Sequence, residues 1–210
     1  MSVSHRTEDD AKAAFQSCKS PDPKDRMDFY DSWAEDYEED HRLMSFKGPD
    51  LAVNFLSENF SGSPEGALVL DVACGSGWVA KLMFELGFRH FVGVDGSKGM
   101  LQQAAETGLY QDLRPALLGT ERLPTQTGGL ICMARGDHTQ TPSERYKRDL
   151  EKELQLMEEG GLWSLVGIKR TERYMENPHL NNEKGGKGEQ EKQYISGTVY
   201  LYKKSINPLN

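Results

Sequence analysis

The chain has 210 residues, of which 37% are hydrophobic, and it carries a formal net charge of −8 at pH 7. Its length suits one domain with a sizeable core plus some appended sequence. The acidic balance, without a Lys/Arg stripe among aromatic residues, argues against a nucleic-acid partner. No apolar run is long enough to span a bilayer, and the polar, acidic first residues are unlike a signal peptide. The sequence therefore predicts a cytoplasmic or nuclear protein with no membrane partner.

Cys18, Cys74 and Cys132 are spread along the chain without a CxxC spacing. An odd number of widely separated thiols favours neither a disulfide framework nor a zinc site, so no metal is predicted. Cys74 lies inside a glycine-rich loop, where a small buried side chain is a simpler interpretation than a nucleophile.

The first 40 residues divide into two parts. Residues 1–24 are polar and end in a proline-containing stretch, which predicts a flexible leader before a single domain over residues 25–210. The next segment has helical spacing of its apolar and aromatic residues, and it predicts a helix that packs its aromatic side chains on a sheet. The residues of that face are Met27, Tyr30, Ala34 and Tyr37, with Phe29 and Trp33 beside them.

The stretch over residues 68–108 has the pattern of one βαβα unit, around which the rest of the chain is organised. The short apolar run 68–70 predicts a strand that is buried on both faces of a parallel sheet and ends at Asp71. Apolar residues at helical spacing follow from Gly77 until Gly87, which predicts the first helix and its C-terminal stop.

The second half of this unit repeats the pattern. Residues 91–94 predict a second buried strand, which ends at Asp95. Ser97 is a good N-cap for the helix that follows, and Gly108 closes that helix.

The loop between the first strand and helix has the composition of a nucleotide-binding turn. Gly75, Gly77 and Ala80 match the loose dinucleotide pattern, which by itself fits a tight strand-to-helix turn equally well. Two acids add specificity, because Asp71 stands before the loop and Asp95 ends the next strand. Glycines let a ligand approach the backbone, and an acid in the second position can accept both ribose hydroxyls.

Together, DVACGSG over residues 71–77 and VGVDGSKGML over residues 92–101 resemble the first two motifs of the class I S-adenosylmethionine-dependent methyltransferases. In that Rossmann-like family the first acid lies near the methionine ammonium, the glycines lie under the methionine part, the second acid holds the ribose, and the residues after it lie beside the adenine. The resemblance implies S-adenosyl-L-methionine as the cofactor. The cofactor-binding residues that it implies in these motifs are Asp71, Ala73, Gly75, Ser76, Gly77, Asp95, Gly96 and Ser97.

The segment YDSWAEDY over residues 30–37 resembles a lid that covers the cofactor in many small-substrate methyltransferases. This resemblance adds Tyr30, Trp33 and Tyr37 to the cofactor-binding candidates. The core-helix interpretation and the lid interpretation both remain open for this segment.

A third strand is predicted at residues 116–118. Family members often place an acid beside the adenine amino group just after that strand, and this chain offers Thr120 or Glu121 there. The contact is therefore assigned to one of these two residues through the resemblance alone.

The last third of the chain predicts a strand from Leu130 and a capped helix from Thr141. Strand-like segments over residues 162–169 and 195–202 resemble the family's sixth and seventh strands, which pair antiparallel. Residues 171–193 between them have almost no apolar content, which predicts a mobile loop.

The chain departs from the family pattern between Leu123 and Gly129, where family members have a fourth strand and a helix of roughly 25 to 35 residues. That strand normally lies beside the first strand and lines the substrate pocket. If the strand at Leu130 takes the vacant place, seven connecting residues that reach at most about 24 Å must cross about 22 Å, so the connection is strained. The fold prediction is therefore α/β, a Rossmann-like methyltransferase fold with a mostly parallel sheet and an antiparallel last strand, incomplete in the middle.

Three functions remain open on this sequence. The first is an S-adenosylmethionine-dependent methyltransferase of a small molecule or a protein side chain. The second is a catalytically weak or inactive shortened form that binds cofactor or a protein partner. The third is a nicotinamide-dependent reductase, which the lack of a third phosphate-facing glycine and of a Tyr/Lys pair disfavours. No NPPY or DPPY motif is present, so no catalytic residue is assigned.

Overall fold

A computed structural model of the chain describes residues 6–17, 20, 22–117, 129–137, 141–179 and 193–204, with residues 141–144 and 146 described by their backbone alone. Its helices are α1 (Glu8–Ser17), α2 (Pro23–Trp33), α3 (Tyr37–Leu43), α4 (Gly48–Asn59), α5 (Trp78–Glu85), α6 (Lys98–Glu106) and α7 (Thr141–Glu159). Its strands are β1 (Leu68–Val72), β2 (His90–Asp95), β3 (Tyr110–Pro115), β4 (Gly129–Gly136), β5 (Trp163–Glu176) and β6 (Tyr194–Lys204).

The chain divides into two compact units. The first comprises Met1–Phe46, Gly62–Pro124 and Glu176–Gln193, and the second comprises Lys47–Ser61, Thr125–Met175 and Tyr194–Asn210. The sequence predicts one domain over residues 25–210, whereas the described strands form two separate three-stranded sheets, β1–β2–β3 and β4–β6–β5. The division follows from the hydrogen bonding, because β4 pairs with β6 and not with a strand of the first sheet.

The first sheet is parallel and has β2 at its centre. Phe91 and Val94 of β2 are 0% and 1% exposed, and Met83 of α5 and Met100 of α6 are buried with them. The side chain of Ser97 accepts a hydrogen bond from the Met100 amide, so it caps α6 as its sequence position predicts. The predicted βαβα unit is thus confirmed.

Two strand predictions in the first unit are wrong. The sequence predicts that β1 is buried on both faces, but Leu68 and Val72 are 48% and 37% exposed, so its two ends are not covered by the described residues. The third strand runs over Tyr110–Pro115 instead of residues 116–118. Its charged residues interrupt the apolar pattern, as an edge strand allows.

Residues 1–24 contain an ordered helix, which corrects the prediction of a flexible leader. Ala11 of α1 is fully buried, and the ring of Phe15 packs edge-on against Trp33 at 5.0 Å. Arg6 donates from Nε and a terminal nitrogen to both carboxylate oxygens of the buried Asp40. Helical spacing of a few apolar residues in a polar stretch is enough to dock a helix when a buried carboxylate supplies an ion-pair partner.

The second unit is a sheet with one helix on each face. Cys132 and Met133 are neighbours on β4, so their side chains point to opposite faces. Met133 packs in the cluster of Leu154 from α7 with Tyr200 and Tyr202 from β6. The Cys132 thiol instead lies 3.5 Å from the Ala52 carbonyl of α4.

β6 runs antiparallel to β4, with residues 197–204 paired to residues 129–136, so the direction predicted for the last strand is confirmed. This strand lies in a separate sheet and not at the end of one mostly parallel sheet, as the sequence predicts. β5 continues to Glu176, which corrects the beginning of the predicted mobile loop; residues 180–192 of that loop lie outside the described part of the chain. The uninterrupted polar run over residues 169–173 is compatible with an exposed strand as well as with a loop, so composition alone did not distinguish the two. In the ranges that the structure describes, no helix is long and apolar enough to cross a membrane.

Candidate functional site

The glycine loop of the first unit follows β1 directly and turns the chain into α5. Gly75 and Gly77 have φ angles of +55° and +84°, which glycine adopts without steric cost. Ala73 has φ +56°, an unusual angle for a residue with a Cβ. The Cys74 amide donates to the Val94 carbonyl at 3.1 Å, so the loop is tied to the end of β2. The backbone is therefore held in one conformation at the carboxyl ends of two neighbouring strands.

The Cys74 side chain fills space inside this loop, as its position in the sequence predicts. The residue is 5% exposed, and burial raises the pKa of its thiol, with the charges of Asp71 and Asp95 adding to the effect. A neutral, enclosed thiol is a poor nucleophile.

Asp95 joins the two loops that the sequence assigns to the cofactor. Its Oδ2 accepts from the Gly75 amide at 2.9 Å, and its Oδ1 accepts from the Ser97 amide at 2.9 Å. A carboxylate has about four acceptor positions, so two remain for a ligand that carries two hydroxyl groups. The side chain is half-buried, which leaves it accessible to such a ligand.

Asp71 is the second acid of the site and lies deeper, at 8% exposure. The Tyr110 hydroxyl donates to its Oδ2 at 2.7 Å. Burial raises the pKa of Asp71 to about 6, with a further contribution from the charge of Asp95, although the bond from Tyr110 opposes the shift. A cationic ligand group beside Asp71 would favour the charged form.

Two carboxylates from the N-terminal helices reach the same loops. Asp31 of α2 accepts from the Ser97 hydroxyl at 2.6 Å and from the Gly99 amide at 2.9 Å. Although burial opposes it, these bonds lower the pKa of Asp31. Because Gly99 lies in the first turn of α6, the Asp31 carboxylate also lies at the positive end of that helix.

Glu38 of α3 makes the second of these contacts. Its Oε1 accepts from the Ser76 hydroxyl and from the Lys81 ammonium, both at 2.7 Å. Burial again disfavours the charged form, but the bonds to Lys81 and Ser76 outweigh it and lower the pKa of Glu38. The segment α2–α3 is thus attached to the loop after β1 and to the loop after β2.

The aromatic residues of this segment lie together. Trp33 is 5% exposed, its indole N–H donates to Asp40 at 2.7 Å, and its ring packs against Tyr30 at 6.1 Å and Tyr37 at 5.1 Å. The Trp33 side chain is therefore part of a helical core, while Tyr30 and Tyr37 are half-buried at its margin.

An apolar contact marks the loop after β2. A Cβ at Gly96 would lie 2.5 Å from the Met27 sulfur and 3.6 Å from a methyl group of Leu117. Gly96 therefore allows two apolar side chains to approach its backbone. Thr120 and Glu121, the candidates for the adenine amino group, lie outside the described residues.

Sequence analysis did not assign Asp31, Glu38 and Tyr110 to the site, and it named Met27 only as part of the helix face. Asp31 and Glu38 lie on two different helices, α2 and α3, so no single helical spacing relates them. The aromatic residues between them gave the stronger pattern. No sequence signal pairs Tyr110 with Asp71, since 39 residues separate them.

Comparison with known proteins identifies the family to which the chain belongs. The family model for a methyltransferase domain matches residues 69–161, which include both glycine-loop motifs. Methyltransferase-like protein 27 of Homo sapiens is 37% identical over 173 residues, which cover 68% of this chain and 70% of that protein. The chain belongs to the class I S-adenosylmethionine-dependent methyltransferases. The class identified from the two motifs is therefore confirmed, and S-adenosylmethionine is the cofactor.

Two solved structures share the fold of this chain. The magnesium protoporphyrin IX methyltransferase of Synechocystis PCC 6803, solved with bound SAH, has a TM-score of 0.57 at 13% identity, over 88% of this chain and all of that one. The structure titled "DhpI-SAM-HEP complex" has a TM-score of 0.51 at 13% identity, over 87% of this chain and 97% of that one. At this identity the likeness establishes a shared fold.

The described residues of this methyltransferase fit the cofactor. Gly75, at φ +55°, has open space where a Cβ would stand, so a ligand can approach the backbone there. The two free acceptor positions of Asp95 match a ribose diol, and the buried Asp71 matches an ammonium group.

Proposed function

We propose that S-adenosylmethionine lies over the glycine loop, with its ribose on Asp95, its methionine part along Gly75 and Gly77, and its ammonium group near Asp71. The observation that carries this proposal is the Asp95 carboxylate, which already accepts one amide from each loop and keeps acceptor positions on both oxygens. The adenine lies beside Gly96 and Ser97, where Met27 and Leu117 supply apolar contact.

The segment α2–α3 is the lid of this site in our proposal. Asp31 attaches it to Ser97 and Gly99, and Glu38 attaches it to Ser76 and Lys81, so it is fixed to both cofactor loops by charged hydrogen bonds. Tyr30 and Tyr37 lie at the margin of the lid, whereas Trp33 keeps its helices together. The lid and core-helix interpretations are therefore compatible.

The methyl acceptor is a small molecule or an exposed protein side chain. When bound, the cofactor supplies a methyl group on a sulfonium centre, and the protein contributes mainly by holding an unhindered nucleophile in line with it. Such positioning needs no general base, in agreement with the absence of an NPPY or DPPY motif in the sequence. The free thiols of Cys74 and Cys132 support the proposed cytoplasmic or nuclear location.

A second candidate, a shortened form with weak or no turnover, is favoured by one observation. Among the described residues β1 pairs with β2 alone, and β4, the next strand in the chain, pairs with β6. The place beside the first strand is where family members carry the strand that lines the substrate pocket. Loss of that strand would spare Asp71 and Asp95 while removing one wall of the acceptor pocket.

Calorimetry separates cofactor binding from the reductase alternative. The full chain is titrated with S-adenosylmethionine, S-adenosylhomocysteine and NADH; we expect saturable heat with the first two and none with NADH. Absence of binding of both sulfur nucleotides would overturn the proposal.

Turnover then separates an active from a weak enzyme. Transfer of a labelled methyl group is measured with amine, thiol, phenol and carboxylate acceptors and with a peptide library, beside human methyltransferase-like protein 27 as a comparison. Labelling of one acceptor class supports the first candidate, whereas cofactor binding without labelling supports the second.

A further inference from the structure

Tyr110 is a half-buried tyrosine that the cofactor motifs do not include. It begins β3, and its hydroxyl donates to Asp71 Oδ2 at 2.7 Å across the sheet. Its ring packs edge-on against Phe91 of β2 with 6.1 Å between centroids. The hydroxyl thus reaches the end of β1 from a ring that packs against the buried Phe91.

Two glycines leave the space that this ring fills. A Cβ at Gly93 would lie 2.8 Å from the Tyr110 ring and 2.6 Å from Leu113, closer than side chains approach in practice. A Cβ at Gly77 would lie 3.1 Å from the same ring. The ring therefore lies directly under β2 and the glycine loop, and Gly93 in the middle of a strand is explained by this contact.

Asp71 makes one hydrogen bond through its side chain within the described part of the chain, and Tyr110 is the donor. That bond occupies Oδ2 and leaves Oδ1 available. We infer that Tyr110 is a positioning residue, which holds the Asp71 carboxylate so that Oδ1 receives the ammonium group of the cofactor. The inference rests on the proposed function, in which Asp71 binds that group.

The charged groups around Asp71 determine whether cofactor affinity rises or falls with pH. The titratable groups that face it are Tyr110 from β3, Asp95 from β2 and Cys74 from the glycine loop. Burial, with the charge of Asp95, raises the pKa of Asp71 to about 6, while the bond from Tyr110 lowers it. Because the ammonium is held by the charged carboxylate, affinity falls as pH drops through this pKa. Removing the Tyr110 hydroxyl raises the pKa further, so affinity is lost at a higher pH.

The test is calorimetric titration with S-adenosylhomocysteine between pH 5 and 7.5 for the wild-type chain and Tyr110→Phe. We expect the variant to bind roughly tenfold more weakly at pH 7, as for loss of a charged hydrogen bond, with the midpoint of the pH profile moved upward. 5′-Methylthioadenosine, which lacks the amino-acid end, should bind both proteins equally. Tyr200→Phe is the matched control, because it removes a 3.1 Å tyrosine-to-carboxylate bond, to Glu151, in the second unit.

Asp71→Asn provides a second measurement that does not depend on Tyr110. It should remove the pH dependence over this range, and Tyr110→Phe added to it should cause no further shift. A parallel loss of affinity at every pH, or an equal loss for 5′-methylthioadenosine, would show a merely structural role and overturn the inference. Absence of binding to the wild-type chain would instead overturn the proposed function.

Discussion

Asp95 contributes both to the shape of the site and to its proposed chemistry. It accepts the Gly75 and Ser97 amides, so it fixes two loops before any ligand arrives. Asp71, by contrast, is enclosed and has a pKa of about 6 because of its burial and of the nearby charge. Two acids of the same type are therefore adapted to different parts of one ligand by their surroundings.

Replacement of Asp95 tests the ribose contact. Asp95→Ala should weaken S-adenosylhomocysteine binding by about 2 to 4 kcal/mol, since two charged hydrogen bonds are lost. Because two backbone amides also lose their acceptor, the free energy of unfolding should fall by about 1 to 3 kcal/mol. Calorimetry and chemical denaturation measure the two effects. Asp112→Ala, on the exposed edge strand β3, is the control, and unchanged affinity in folded Asp95→Ala would exclude Asp95 from the site.

The buried His41 predicts how the free energy of unfolding depends on pH. Burial among aromatic rings lowers the pKa of His41 to about 4, against about 6.5 in an unfolded chain. The unfolded state therefore binds more protons below pH 6.5, and the free energy of unfolding falls as pH drops from about 6.5 to about 4, by up to about 3 kcal/mol.

His41→Phe keeps a ring in the cluster and removes the titration. The loss of melting temperature between pH 7.5 and pH 5 should be smaller in this variant than in the wild-type chain. Thermal melts at both values measure it, and an equal loss in the two proteins would contradict the assignment.

At the scale of elements, α1, α2 and α3 form one assembly. Arg6 and Phe15 dock α1 on Asp40 and Trp33, while Asp31 and Glu38 attach the other side to the cofactor loops. A helix so connected should be ordered further by any ligand that fixes those loops.

Hydrogen exchange tests whether the segment α2–α3 closes over the cofactor as a lid. Amides of residues 25–40 should exchange more slowly once S-adenosylhomocysteine is bound, whereas those of α7 should not change. Asp31→Ala should reduce this protection, and Asp28→Ala, an exposed acid on the same helix, should leave it intact. Equal exchange with and without ligand would make α2 an ordinary core helix.

Local pattern predicted the parts of the structure that depend on neighbours in sequence. The glycine loop, the acids that end β1 and β2, and the Ser97 cap are short-range features with a fixed chemistry. Asp31, Glu38 and Tyr110 depend on contacts between residues 38 to 68 positions apart, and no local pattern encodes these. β3 was misplaced because a charged edge strand lacks the apolar run that indicates a buried one.

At the scale of the whole molecule, the strands are divided between two three-stranded sheets. The sequence resemblance predicts that a strand and a helix are missing between Leu123 and Gly129. That strand would pair with β1, and that helix would cover apolar surface. The exposed Leu68 and Val72 of β1 agree with the loss of such a neighbour.

Insertion of a strand and a helix after Pro124 tests whether this segment contributes to stability and turnover. A version with a family-like strand and helix inserted after Pro124 should melt at a higher temperature, show a larger shift with S-adenosylmethionine, and transfer methyl groups faster. A version with a Gly/Ser linker of the same length is the control for chain length. Equal melting temperatures and equal turnover in the restored and natural chains would contradict a structural role for the segment.

The unpaired edge that β1 has among the described strands leads us to expect association between molecules during storage. Within the described residues, its backbone donors and acceptors on that side have no strand partner, and strands of this kind pair between molecules. A concentrated sample should therefore lose monomer with time and gain thioflavin-positive fibrils. Val72→Lys, which places a charge on this edge, should slow the process, whereas Leu86→Lys, at an equally apolar exposed site beyond α5, should not. Equal ageing of both variants would exclude β1 as the template, and slower ageing of Val72→Lys alone would show that association begins at this edge of β1.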